Sequence, residues 1–249
     1  MKYLRKIFTT MALMTIFSVS VFAKSGFEFH YNALIGVGVS FPTTSMKDMG
    51  FKSDIGFDGT GLFQIGYMRQ VKEGFGISYL LELGYNFSSY TISVKPDFNP
   101  IINDIFGLGN IIGNIFPNDI SVALDFTFYN IQVGLFPKFN FGNFSIGIGG
   151  GIKIPVIGEM SVTATAINVE ETQKLSRTDI ADMFNPPIFG YVKTSLAYSF
   201  YLTDKVALDV GLYLSYDIMQ FINEGGKDEY GGTLNTGIIF GLKFGGKVD

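Results

Sequence analysis

The chain has 249 residues, 47% of them hydrophobic and only 16% charged, where an average globular domain has roughly 25% charged. No cysteine and a single histidine exclude disulfides, thiolate metal sites and Cys nucleophiles, and leave little for His-based metal or triad chemistry. The formal net charge is −4. After the first two dozen residues no run of about eighteen apolar residues occurs, which excludes a mature helical membrane protein.

The N-terminus reads as an export signal. Lys2, Arg5 and Lys6 form a basic start, Ile7 to Phe22 is apolar but diluted by Ser and Thr, and Val21 and Ala23 provide the small residues of a cleavage site. Cleavage is expected after Ala23, giving a signal peptide 1–23 and a mature segment 24–249. The apolar core is short, and a cleavage site follows it, which argues against a retained anchor. Segment 1–23 carries three bases and no acid, so the mature balance moves from −4 to −7, against nucleic acid as a partner.

The mature chain alternates with period two. From Gly26 to Phe41 every odd position is apolar or aromatic, and only Leu34 breaks the even set, which predicts a strand with one apolar face. The second predicted strand spans about Gly61–Val71 and the third about Gly76–Ile92. The fourth, about Ser121–Phe139, changes phase between Phe128 and Tyr129, so a β-bulge is expected there. The fifth spans Phe144–Val156, and three more cover about Ile188–Leu202, Val206–Ile218 and Thr233–Phe244. Links at Lys72–Phe75, Asn140–Asn143 and Thr203–Lys205 are short and polar. Those at Pro42–Thr60, Ser93–Ile120, Ile157–Pro187 and Met219–Gly232 are long. Eight strands with turns at one end and loops at the other suit an antiparallel up-and-down transmembrane β-barrel, with short periplasmic turns and long extracellular loops.

The polar face decides which side meets water. In the first, fifth and eighth predicted strands seven of its eighteen positions are Gly and three are Lys or Glu. A water-facing sheet would carry more charge, as a soluble lipocalin-like barrel does, whereas the crowded interior of an eight-stranded barrel favours glycine. The opposite face ends its runs in Phe27, Phe144, Phe200 and Phe244 at the turn end and Phe41, Phe87 and Tyr216 at the loop end, as interfacial girdles do.

These segments resemble a known family. Tyr198–Asp217, YSFYLTDKVALDVGLYLSYD, is similar to the last periplasmic turn of small outer-membrane barrels of the OmpX, OmpW and OmpA-barrel type. Leu234–Phe244, LNTGIIFGLKF, looks like the strand signal that the barrel-assembly machinery reads, with Asn235, Gly237, Phe240, Leu242 and the terminal aromatic Phe244 in the corresponding places. The tail Gly245–Asp249 departs from the family, which ends on that aromatic. The resemblance implies insertion by the assembly machinery, a place in the cell outer membrane and contact with its lipid.

Charged residues expected on the inner face are Glu28, His30, Glu82, Lys138, Lys153, Lys193, Asp209, Asp217 and Lys243. Unpaired charge in a low-dielectric lumen is costly, so a paired network is expected, with Glu28 and His30 near Lys243 and Asp209. The same residues would serve to gate a narrow pore. Gly107-Leu-Gly109-Asn-Ile-Ile-Gly113 has one residue too many for a dinucleotide fingerprint and no βαβ unit around it. Neither cofactor nor metal is expected. In the second long loop Ile101, Ile105, Phe106, Ile112 and Phe116 recur at roughly helical spacing. They would cover the barrel mouth, lie in the lipid interface or bind a hydrophobic ligand. Ser176 to Phe184, with its S-x-x-D start, predicts a turn or two of helix. The expected function is non-enzymatic, structural or surface-binding, with a host surface molecule or small hydrophobic ligand as partner. The alternative is an OmpW-like conduit for small hydrophobic molecules, with the second long loop and the inner mouth (Leu34, Leu80 and Tyr90) as its binding wall.

Overall fold

Burial along the first strand follows the alternation of its side chains. In the computed structural model, which describes residues 25–94, 122–164, 169–184, 186–222 and 228–248, even-numbered residues of β1 (Gly26–Phe41) are buried and odd ones exposed, with Phe29 half-buried. Among the described residues ten strands and two short helices follow in order. They are β1, α1 (Thr44–Asp48), β2 (Phe51–Ser53), β3 (Ile55–Lys72), β4 (Phe75–Val94), β5 (Val122–Phe141), β6 (Phe144–Ala164), β7 (Val169–Leu175), α2 (Arg177–Met183), β8 (Phe189–Thr203), β9 (Val206–Ile222) and β10 (Asp228–Phe244). The expected signal segment 1–23 and the isoleucine-rich loop lie outside the described residues.

Eight of these strands form a closed antiparallel ring in the order β1-β3-β4-β5-β6-β8-β9-β10. β10 closes it on β1, from Phe29 opposite Phe244 to Phe41 opposite Gly232. Closure gives every strand two neighbours, so no backbone edge is left inside an apolar medium. Three turns of two residues join strands at one end. Gly74 (φ 72°) and Gly142 (φ 58°) take the left-handed conformation that two of these turns need. In the third, Thr203 Oγ1 accepts from the amides of Lys205 and Val206 at 3.3 and 3.1 Å.

The ring is apolar outside. Leu135, Ile148 and Leu212 are 66%, 61% and 58% exposed, and the outward positions of neighbouring strands are of the same kind. Aromatic pairs edge this belt, among them Phe75 with Phe141 and Tyr198 with Phe200 at the turn end, and Phe57 with Phe87 and Phe87 with Tyr129 at the loop end. A closed wall that is apolar outside and polar inside is the wall of a membrane-spanning barrel.

Above the belt the polarity inverts. On β4 the inward residues become Tyr90 and Ile92 and the outward ones Thr91 and Ser93; on β5 Phe126 and Phe128 face in while Asp125 and Thr127 face out. This inversion corrects the bulge expected in the fourth predicted strand. β5 keeps even residues inside from end to end, and its change of pattern marks the passage from lipid to water. The irregularity at that height lies on the partner strand, where Tyr129 pairs with Ile157 but Asn130 with Pro155, leaving Val156 as the extra residue. The strands also run further than their alternation suggested. β3 begins at Ile55, and β6 reaches Ala164, so much of two expected loops is sheet.

Candidate functional site

The lumen holds all nine charged residues read from the sequence, each buried and each in an ion pair. At the turn end, Lys243 Nζ lies 3.6 Å from Glu28, and the two ring nitrogens of His30 face Glu28 at 3.5 Å and Asp209 at 3.2 Å. Lys138 approaches Asp209 at 3.7 Å, and Ser199 donates to it at 2.6 Å. Further along, Glu82 receives Lys193 at 2.8 and 3.0 Å, Tyr191 at 2.9 Å and Gln64 at 2.6 Å. Nearest the loop end, Lys153 bonds Asp217 at 2.7 Å and lies 3.9 Å from a further carboxylate, Asp58.

Asp58 was missed because the segment before Thr60 read as loop. The alternation of Ile55 and Phe57 with Gly56 and Asp58 was the available signal, and the glycine at position 59 interrupted it. The tyrosines of the lumen were missed as well, since they sit among the small residues that make room for them. Gly134 stands opposite Glu82 in the β4–β5 register, and a Cβ on it would occupy the place of the Tyr191 hydroxyl. Gly36 stands opposite Asp58 in the β1–β3 register, where the Tyr213 hydroxyl donates to Asp58 at 2.7 Å. The glycine face of the lumen therefore serves a packing purpose: each gap next to an acid admits a phenol from across the barrel. Among the described residues, voids of about 20 and 10 Å³ lie in this part of the lumen, each the size of about one water.

Both ends of the lumen are covered. At the loop end Tyr90, Ile92, Phe126, Phe128, Phe189 and Phe221 form one apolar cluster with Ile180 of α2 and Phe184. Phe184 bridges to Phe221 and packs against it with tilted rings, centroids 4.7 Å apart. α2 starts on the expected capping box, Ser176 with Asp179. The Ser176 hydroxyl, which accepts from the Asp179 amide at 3.3 Å, and the Ser176 amide, which donates to the Asp179 carboxylate at 2.7 Å, hold that carboxyl below the usual range. α1 is tied to β10 by Glu229, which accepts from the Ser45 amide at 3.1 Å and from its hydroxyl. At the turn end the tail beyond Phe244 folds under the ring. Gly245 donates to the Lys205 carbonyl at 2.9 Å, and Val248 is buried against Gly76, close to Met68.

Leu34, Leu80 and Tyr90 do not come together as one stretch of wall, and the second long loop expected beside them lies outside the described residues. Leu34 packs with Leu62, Tyr213 and Ile239 in mid-lumen, and Tyr90 belongs to the cap. Leu80 lies on the turn side of Glu82, ten residues from Tyr90 along one strand, a separation of roughly 33 Å. Of the strand-signal residues, Asn235 and Gly237 face the lumen, with Asn235 donating to Asp217 at 3.0 Å, while Phe240 and Leu242 face out. Phe244 ends the strand opposite Phe29. Ile101, Ile105, Phe106, Ile112 and Phe116 lie outside the described residues. Among the described residues no group of three or more acidic or histidine side chains is arranged to hold a metal ion.

No protein-family model matches the chain, and no curated protein does. Solved structures similar to it include Neisserial surface protein A, at 15% identity over 89% of this chain and 98% of that one, with a TM-score of 0.38. The outer-membrane protease OmpT from Escherichia coli is similar at 12% identity over 88% and 96%, with a TM-score of 0.33. Ail, the attachment invasion locus protein of Yersinia pestis, is similar at 14% identity over 87% and 98%, with a TM-score of 0.30.

Proposed function

We propose that the protein is a sealed, non-enzymatic barrel of the bacterial outer membrane, exported by a signal peptide cleaved after Ala23, whose role is structural or surface-binding. In this reading the two-residue turns lie in the periplasm, and the polar-faced extension with α1 and α2 stands at the cell surface, where its loops meet a host molecule or other partner.

The observation that carries the reading is the filled lumen. Ion pairs cross its width, the voids between them have room for single waters, an apolar cluster closes one end and the C-terminal tail the other. Such a barrel suits display better than transport. His30, fully buried between Glu28 and Asp209, is engaged in the lumen rather than open to a substrate, which favours the non-enzymatic reading.

Planar-bilayer recording on the refolded mature protein tests the proposal. No conductance steps above the empty bilayer are expected; steady unitary steps overturn it in favour of a conduit. The mass of the protein isolated from outer membranes tests the leader, with a chain starting at Lys24 as the expected result.

A further inference from the structure

The lipid-facing wall is not uniformly bulky. At mid-height on β3 the outward residues are Gly59 and Gly61, and the β1 residue paired with Gly61 is Ala33. Among the described residues β3 is the only ring strand with two successive outward glycines. These differ from the glycines of the lumen. A Cβ on Gly61 would meet nothing within 4 Å, and one on Gly59 would make only ordinary contact with Phe57. Packing within the protein does not require them, and glycine inside a strand weakens it.

Around Gly61 and Ala33, Tyr31, Phe63, Leu83, Tyr85, Phe240 and Leu242 border an open trough of about 700 Å³, within the roughly 300–1,000 Å³ of small-molecule sites. Its floor is Ala33 and Gly61 with the flanking backbone. The trough is continuous with the apolar belt, so the medium that reaches it is the hydrocarbon of the bilayer. An acyl chain is the occupant whose chemistry fits both its walls and its position.

We infer that the trough over Ala33 and Gly61 seats one lipid acyl chain and holds it longer than the rest of the belt holds its lipids. Leaving bulk lipid brings no hydrophobic gain, since the lipid tails are as apolar as the wall. The added hold comes from dispersion contact on the floor and both flanks of the chain, where a convex wall touches it on one side only.

The test uses the mature barrel reconstituted in phosphatidylethanolamine–phosphatidylglycerol vesicles with a phospholipid carrying a photoreactive diazirine midway along one acyl chain. Irradiation is expected to label the segments holding Phe63, Leu83 and Tyr85 above the rest of the belt. Gly61→Leu, which fills the trough, should lower that labelling roughly tenfold. Gly190→Leu serves as control. It adds the same side chain to an outward β8 position where a Cβ also meets nothing within 4 Å, and labelling at the trough should stay unchanged. Ala33→Leu fills the trough from β1 and gives the reading if Gly61→Leu does not assemble. Even labelling around the wild-type ring, or undiminished labelling in a folded filled variant, overturns the inference.

Discussion

Lys193 on β8 and Glu82 on β4 meet across the lumen, the ammonium 2.8 and 3.0 Å from the two carboxylate oxygens, with both side chains buried. The two strands are separated in the ring by β5 and β6, so the pair ties opposite walls together. Removing one partner of a buried pair leaves the other charge unmatched, at a cost of about 3–5 kcal/mol. Lys193→Met is therefore expected to destabilise the barrel by about that amount. Adding Glu82→Gln should restore a large part of it, because Tyr191 and Gln64 remain as hydrogen-bond partners. Urea unfolding in lipid vesicles, read as a double-mutant cycle, checks this; losses of the two single variants that simply add up in the double variant would show that the two residues act independently.

The last strand tests whether its pattern is read during assembly. Phe240 points into lipid opposite Ala33 and is 56% exposed; Leu196 on β8 is similarly placed in the wall at 47%. An aspartate at either position faces hydrocarbon, a penalty below the roughly 2–4 kcal/mol of a mid-bilayer Arg or Lys. Phe240→Asp is expected to abolish insertion in cells, and Leu196→Asp to reduce it only in part. Heat-modifiable mobility of the outer-membrane fraction measures both. Equal insertion of the two variants would remove the case for a strand signal.

The cap of α2 should respond to acid. Hydrogen bonding to Ser176 lowers the Asp179 pKa in the folded protein, so the capping box contributes its full stabilisation above the ordinary Asp pKa of about 3.9. That contribution disappears as pH falls through the lower folded-state value. Carboxyl-carbon NMR of the detergent-solubilised barrel should give Asp179 a midpoint below that of a free aspartate. Ser176→Ala should move the midpoint back up, since it removes the hydroxyl that holds the box. An unmoved midpoint in that variant would show that the hydroxyl has no part in the shift.

Much of this architecture was legible in residue order. The alternation of Phe27 through Phe41 with Glu28 through Ser40 set the faces of β1, and the short polar links Lys72–Phe75 and Asn140–Asn143 marked two turns. Glu28, His30, Lys243 and Asp209 were expected together because closing the ring puts first and last strands side by side. Where the chain leaves the bilayer, the same logic misread Phe126 and Phe128. A period-two pattern states that two faces differ; which face is apolar depends on the solvent outside, and that solvent changes partway along β4, β5 and β6. Asp58 was lost for a related reason, since Gly59 faces lipid and breaks the apolar series that would have extended the strand past it.

Residue order by itself determined that this protein is a ring of strands, oily outside and polar within, because a strand's side chains alternate by covalent geometry and every backbone group in hydrocarbon needs a partner. Only the tertiary structure decided how the interior of the ring is filled. That Tyr191 reaches Glu82 past Gly134, that Phe184 closes on Phe221, and that Val248 turns back under Gly76 depend on distances across the barrel between residues far apart in the chain. No local pattern encodes such distances, for they arise only once strand number and register have set the width to be filled.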